Sequence, residues 1–99
     1  MLINEEIAVR REIQAYAICT PDGGWIRPEQ VESHDVQVIV TKRQLGAYLF
    51  AFEQDARSTL AELTGVVESR WNYDMRFEEG GLRIVPVIFS YDDDETVIS

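Results

Sequence analysis

His34 stands beside Asp35, and a carboxylate that orients an imidazole is the ordinary way to build a general base that works near neutral pH. Adjacent residues on a strand point to opposite faces, so the pair could act together only from a loop. Cys19 is the one thiol, and pairing with His34 would make it a thiolate nucleophile. Nothing in the spacing ties the two together, and a lone cysteine reads more simply as a small buried hydrophobe. The run Asp92, Asp93, Asp94 and Glu95 offers oxygen ligands to a hard cation, but it lacks the alternate ligand spacing and the turn glycine of an EF-hand loop. It reads instead as a solvated acidic tail that could dock into a basic groove. Glu78 and Glu79, just before Gly80 and Gly81, have the place of acidic residues at a hairpin tip rather than of an acid-base pair.

Phosphate-cradling glycine loops, the G-x-S-x-G elbow and C-x-x-C or Cys/His zinc spacings are absent. The sequence therefore names no catalytic residue, cofactor or metal ligand, and the expectation is a protein that is not an enzyme.

The elements that would carry these residues fit one α+β domain over residues 1–99, with a short acidic tail at 92–99. Residues 13–19 read as a strand entering the turn Thr20, Pro21, Asp22, Gly23 and Gly24, with Trp25, Ile26 and Arg27 returning. Asn4, Glu5 and Glu6 could instead cap a first helix ending near Arg10 and Arg11, so residues 4–19 are open between helix and strand. Val36, Val38 and Val40 alternate along a further strand at 35–40. Thr41 and Gln44 fit a capping box, and Leu45, Leu49, Phe52, Ala56, Leu60 and Leu63 follow at helical spacing. This predicts one long helix at about 42–64, with Glu53 and Arg57 paired on its outer side, Gly65 at its C-terminal end and a break near 55–58 as the variant, since Thr59 and Glu62 could cap a second helix.

Beyond it, Trp71, Tyr73, Met75 and Phe77 alternate with polar residues and lead through Gly80 and Gly81 into an apolar run. A C-terminal β-hairpin at about 70–91 is expected, with Phe77 opposite Ile84, Met75 opposite Pro86, Tyr73 opposite Ile88 and Glu78 opposite Arg83. Pro86 places the returning strand at an edge or a bulge. The predicted fold is an antiparallel sheet of four or five strands with the long helix packed on one face. In that helix Tyr48 and Phe50 flank Leu49, making its first half apolar almost all round. Burial by the chain's own N-terminal segment is the favoured outcome. A homodimer through the Tyr48 and Phe50 surface is the other.

The formal charge is −9, and residues 50–99 hold four basic against eleven acidic side chains. Such a chain is repelled by phosphate backbones and anionic lipid, so neither direct nucleic-acid binding nor membrane docking is expected. No apolar run approaches the length of a membrane span, and Glu5 and Glu6 replace the basic start of a secretion signal, which gives a cytoplasmic expectation. The preferred partner is a basic protein or nucleoprotein, met through Glu78, Glu79, Asp92, Asp93, Asp94 and Glu95 with Trp71 and Tyr91 as aromatic anchors. Phage anti-defence inhibitors of the anti-CRISPR type and bacterial immunity proteins share this profile in composition alone. The function expected is thus a small non-catalytic module that blocks a basic nuclease or nucleic-acid-binding partner. A structural or self-assembling role, as in a virion or oligomeric scaffold, is the alternative, and a small enzyme or ligand-binding domain using His34, Asp35 or the aromatics Trp25, Trp71 and Tyr73 is a third.

Overall fold

In a computed structural model of the chain, residues 9–93 are described, with side chains over residues 11–88. Strands β1 (Val9–Cys19), β2 (Trp25–Glu32) and β3 (Asp35–Thr41) follow one another in the chain. Helix α1 (Glu53–Leu63), the short strand β4 (Asn72–Tyr73) and the long strand β5 (Arg83–Asp93) complete the fold. One five-stranded sheet runs in the order β4-β3-β2-β1-β5, and α1 packs against β1 and β5. The α+β expectation holds, but the sheet is mixed: β3 and β4 are parallel while every other pair of strands is antiparallel. The alternative of a first helix fails for residues 9–19, which are strand and include Arg10 and Arg11; Asn4, Glu5 and Glu6 lie outside the described residues.

The turn after β1 forms where glycine and proline call for it. The Thr20 hydroxyl donates to Asp22 and accepts from the Gly24 amide at 2.8 Å, while the Thr20 amide donates to the Gly24 carbonyl at 2.8 Å. Gly24 has no room for more: a Cβ there would stand 2.7 Å from Val40 Cγ1 and 2.8 Å from the Thr20 hydroxyl.

Past that turn β1 and β2 share a single pair, Cys19 with Trp25, and then part. Pro28 gives the reason. Ile26 turns its carbonyl away from β3, toward the Tyr48 amide at 3.1 Å, so two residues on the proline nitrogen faces the same way, and it has no hydrogen to give β1. Segment 48–50 fills the opening. Tyr16 and Phe50 exchange two backbone hydrogen bonds, at 2.9 and 2.8 Å, as an isolated antiparallel bridge.

That use of the backbone removes the first half of the predicted helix. The helix is 53–63, not 42–64, and it is unbroken, so Thr59 and Glu62 cap nothing. Thr41 still belongs to β3, its hydroxyl accepts from the Arg43 amide at 3.1 Å, and only the 3-10 turn Gln44–Gly46 follows before the chain extends. The apolar stripe divides accordingly: Ala56 and Leu63 are fully buried and Leu60 packs on the core, whereas Leu45 is 94% exposed. Glu53 and Arg57 do pair. Gly65, at φ 79°, ends the helix as a Schellman motif, its amide donating to the Glu62 carbonyl and that of Val66 to Ala61.

The C-terminal hairpin is also replaced. The turn at Gly80 exists, with φ 84° and the Gly81 amide donating to Glu78 at 2.9 Å, but its two arms go to opposite edges of the sheet. None of the expected pairs forms, because β5 finds eleven partners on β1: Ile18 opposite Ile84, Ala15 opposite Val87 and Tyr16 opposite Pro86 among them. Residues 75–78 instead cross the end of α1, where the Phe77 amide donates to the Leu63 carbonyl at 3.0 Å. The edge placement of Pro86 is as expected. Tyr16 spends both backbone groups on Phe50, so the Tyr16–Pro86 pair is a non-hydrogen-bonded one, and the missing donor falls on the side of β5 away from β1. Asp92 and Asp93 are strand residues paired with Arg10 and Val9, and residues 94–99 of the expected tail lie outside the described residues.

Ile18, Ile26 and Leu63 are the largest fully buried side chains and form the core with Val38 and Leu82. The weak point is the start of α1. Phe52 holds the N-cap position with cap-like angles (φ −123°, ψ 139°) but no side-chain bond, and it is 67% exposed. Phe52→Ser should therefore stabilise the protein by about 1 kcal/mol, read as a higher urea midpoint at unchanged slope.

Candidate functional site

Strand β4 is only two residues long, and side chains hold it in place. On its inner side the Asn72 amide donates to the His34 carbonyl at 2.7 Å and the Asp74 amide to Val36 at 3.0 Å. The Asn72 side chain donates to Asp35 Oδ1 at 3.0 Å, and Asp74 Oδ1 accepts the Val38 amide at 2.8 Å. Just upstream, the Trp71 amide donates to the Ser69 hydroxyl at 2.9 Å, and the indole lies against His34 with ring centroids 5.5 Å apart and the Arg70 guanidinium 6.0 Å away. The Tyr73 hydroxyl reaches α1 and donates to Glu62 Oε1 at 2.7 Å. Burial first, and then the Glu62 carboxylate, hold the Tyr73 phenol well above its ordinary range.

Three cavities meet around this strand. The largest, of about 700 Å³, lies between the end of α1, the loop at 67–69 and Met75 and Arg76, with Asn72 and Tyr73 in its wall. A cleft of about 220 Å³ is lined by Pro28, Tyr48, Phe50, Trp71 and Tyr73. The third, of about 460 Å³, is lined by Val31, Asp35, Gln37, Asn72 and Asp74. Because Tyr73 packs on the core, Asp35, Asn72 and Asp74 lie by alternation on the other face of the sheet. Val31, Val67 and Met75 are exposed at the rims; Glu62 and Glu68 line the largest cavity together with Arg76, and Asp35 and Asp74 line the third.

The residues expected to bind a partner do not form one surface. Trp71 stands on the β4 edge, and Tyr91, Asp92 and Asp93 are on β5 at the opposite edge. Glu78 and Glu79 are exposed at the turn between, and Asp94 and Glu95 lie outside the described residues. Tyr48 and Phe50 are not on a helix; their rings pack 4.7 Å apart, with Phe50 against the core and Tyr48 exposed. His34 and Asp35 have different partners, Trp71 and Asn72. Cys19 is buried beside Trp25 at the start of β2 and His34 follows its end, a separation of about 25 Å along the strand. Among the described residues no three His, Cys, Asp or Glu side chains are placed to share a metal ion, and no helix is long and apolar enough to cross a membrane.

Sequence reading gave Asp74, Glu62, Glu68, Val31 and Val67 no place in the partner site. The alternation at 71–77 marked the strand that gathers them, but not its neighbour. No protein-family model, curated protein or solved structure matches the chain.

The Tyr73–Glu62 bond gives a pH signature. A phenol whose pKa is raised in the folded state contributes stability that is complete below the ordinary value of 10.0 and is lost as pH rises above it. Tyr73→Phe should cost about 1 kcal/mol at neutral pH and remove this alkaline component, as measured by urea unfolding across pH.

Proposed function

We propose that the chain is a small, acidic, non-catalytic protein-binding module that covers a basic site on its partner, a nucleic-acid-binding surface or a nuclease. One observation carries the reading: four carboxylates and three exposed apolar side chains surround a sheet edge where Trp71 and Tyr73 are already held by neighbours. Apolar and aromatic groups ringed by charge are what an interface needs, the former for binding energy and the latter for steering. Blocking follows from size, because even a small rigid domain seated on a basic groove excludes a phosphate backbone. The compositional likeness to phage anti-defence inhibitors and bacterial immunity proteins favours a partner of that kind, in the cytoplasm.

The exposure of Leu45 and Phe52 favours a second reading, a self-assembling component. Light scattering over a wide concentration range separates the two, since a constant monomer mass removes assembly.

For the leading reading, lysate from the native source is passed over immobilised protein at about 50 mM and then about 500 mM salt, and each retained protein is purified and assayed with nucleic acid. A basic protein should be released as salt rises and lose its nucleic-acid binding when one equivalent of the chain is added. Retention insensitive to salt, or nucleic-acid binding that survives saturation with the chain, would refute it.

A further inference from the structure

We propose that the outer edge of β4 is a strand-addition site, which takes an extended segment carrying basic and apolar side chains at alternate positions. This rests on the reading that the partner is basic and states how it is grasped. By the alternation of a parallel ladder, Asn72 and Asp74 turn their amides to β3, so the Tyr73 amide and carbonyl face outward. Among the described residues β4 has a neighbour on one side only. The cavity of about 700 Å³ has Asn72 and Tyr73 in its wall, together with the end of α1 and the loop at 67–69.

The two faces flanking the edge are chemically unlike. On the helix side Trp71, Val67 and Met75 offer apolar contact, Glu62 is engaged by the Tyr73 hydroxyl, and Arg76 opposes any incoming cation. On the other side Asp35 and Asp74 have no cationic lining neighbour among the described residues, and each uses Oδ1 for a bond within the protein. A strand sends successive side chains to opposite faces, so the segment that fits has apolar residues toward Trp71 and Lys or Arg toward the two aspartates. The edge supplies main-chain hydrogen bonds, and the faces set the register.

The test uses two synthetic peptides of one composition, Val-Arg-Val-Lys-Val-Arg and Val-Val-Val-Arg-Lys-Arg, titrated into the full chain with amide shifts followed by NMR. The alternating peptide should bind about fivefold tighter or better, shift the amides of 71–74, and lose binding when the amides of one of its edges are N-methylated but not when those of the other are. Asp35→Asn with Asp74→Asn keeps both internal hydrogen bonds through the amide oxygen, so the protein stays folded, and it should weaken the alternating peptide about fivefold and lower its salt dependence.

Equal binding of the two peptides overturns strand addition while leaving a basic partner standing. So do shifts confined to β5, amides of 71–74 that move with protein concentration alone because a second copy holds the edge, and absence of binding by either peptide. Failure of the salt-release experiment instead removes the basic partner itself.

Discussion

A proline in a strand with neighbours on both sides sets the arrangement of the whole molecule. Pro28 has no hydrogen to offer on the side facing β1, so the two strands can share only the Cys19–Trp25 pair before they separate. An open wedge in a sheet leaves backbone groups without partners, which proteins avoid. Here segment 48–50 closes it, bonding to Ile26 on one flank and Tyr16 on the other. That placement carries the Phe50 ring to the core, sets Tyr48 beside it and delays the helix until residue 53.

Sequence and structure agree where the forces are local. The glycine-rich turn after Thr20, the strands on either side of it, the Glu53–Arg57 pair and the glycine at the helix end each depend on residues a few positions apart. They diverge where a distant segment competes. Residues 42–52 carry leucine, alanine and phenylalanine at helical spacing, and their pattern suits a helix; the two amides that bond to Tyr16 and Ile26 suit the sheet, and the sheet prevails. The apolar run at 82–91 likewise had two possible partners. A hairpin of four self-consistent pairs is local, but β1 offers eleven and lets the proline point outward. Pro28 was the available signal for the first case, since a proline inside an apparent strand marks an edge or a break.

The β4 region follows the same logic on a smaller scale. Two residues of strand are too few to hold an edge by ladder bonds alone, and the neighbouring side chains substitute for length: Asn72 to Asp35, Asp74 to the Val38 amide, Tyr73 to Glu62. These bonds commit one oxygen of each carboxylate inward, which fixes where the negative charge stands. The candidate site was therefore legible as a set of residue types, aromatic and acidic around 71–79, but not as a place, because Asp74 is joined there by acidic residues from β3, α1 and the loop between α1 and β4.

The two borders of the sheet differ in what they permit between molecules. Pro86 interrupts the outer row of donors on β5 in the first half of that strand, so a second chain laid along it meets a gap in the ladder. Joining β4 of one molecule to β5 of the next would repeat without end and build a filament, whereas β4 against β4 closes as a twofold pair. The proline weakens the endless arrangement and spares the closed one. A single imino acid thus makes the two borders unequal: a ladder built on β5 lacks one hydrogen bond that a ladder built on β4 keeps.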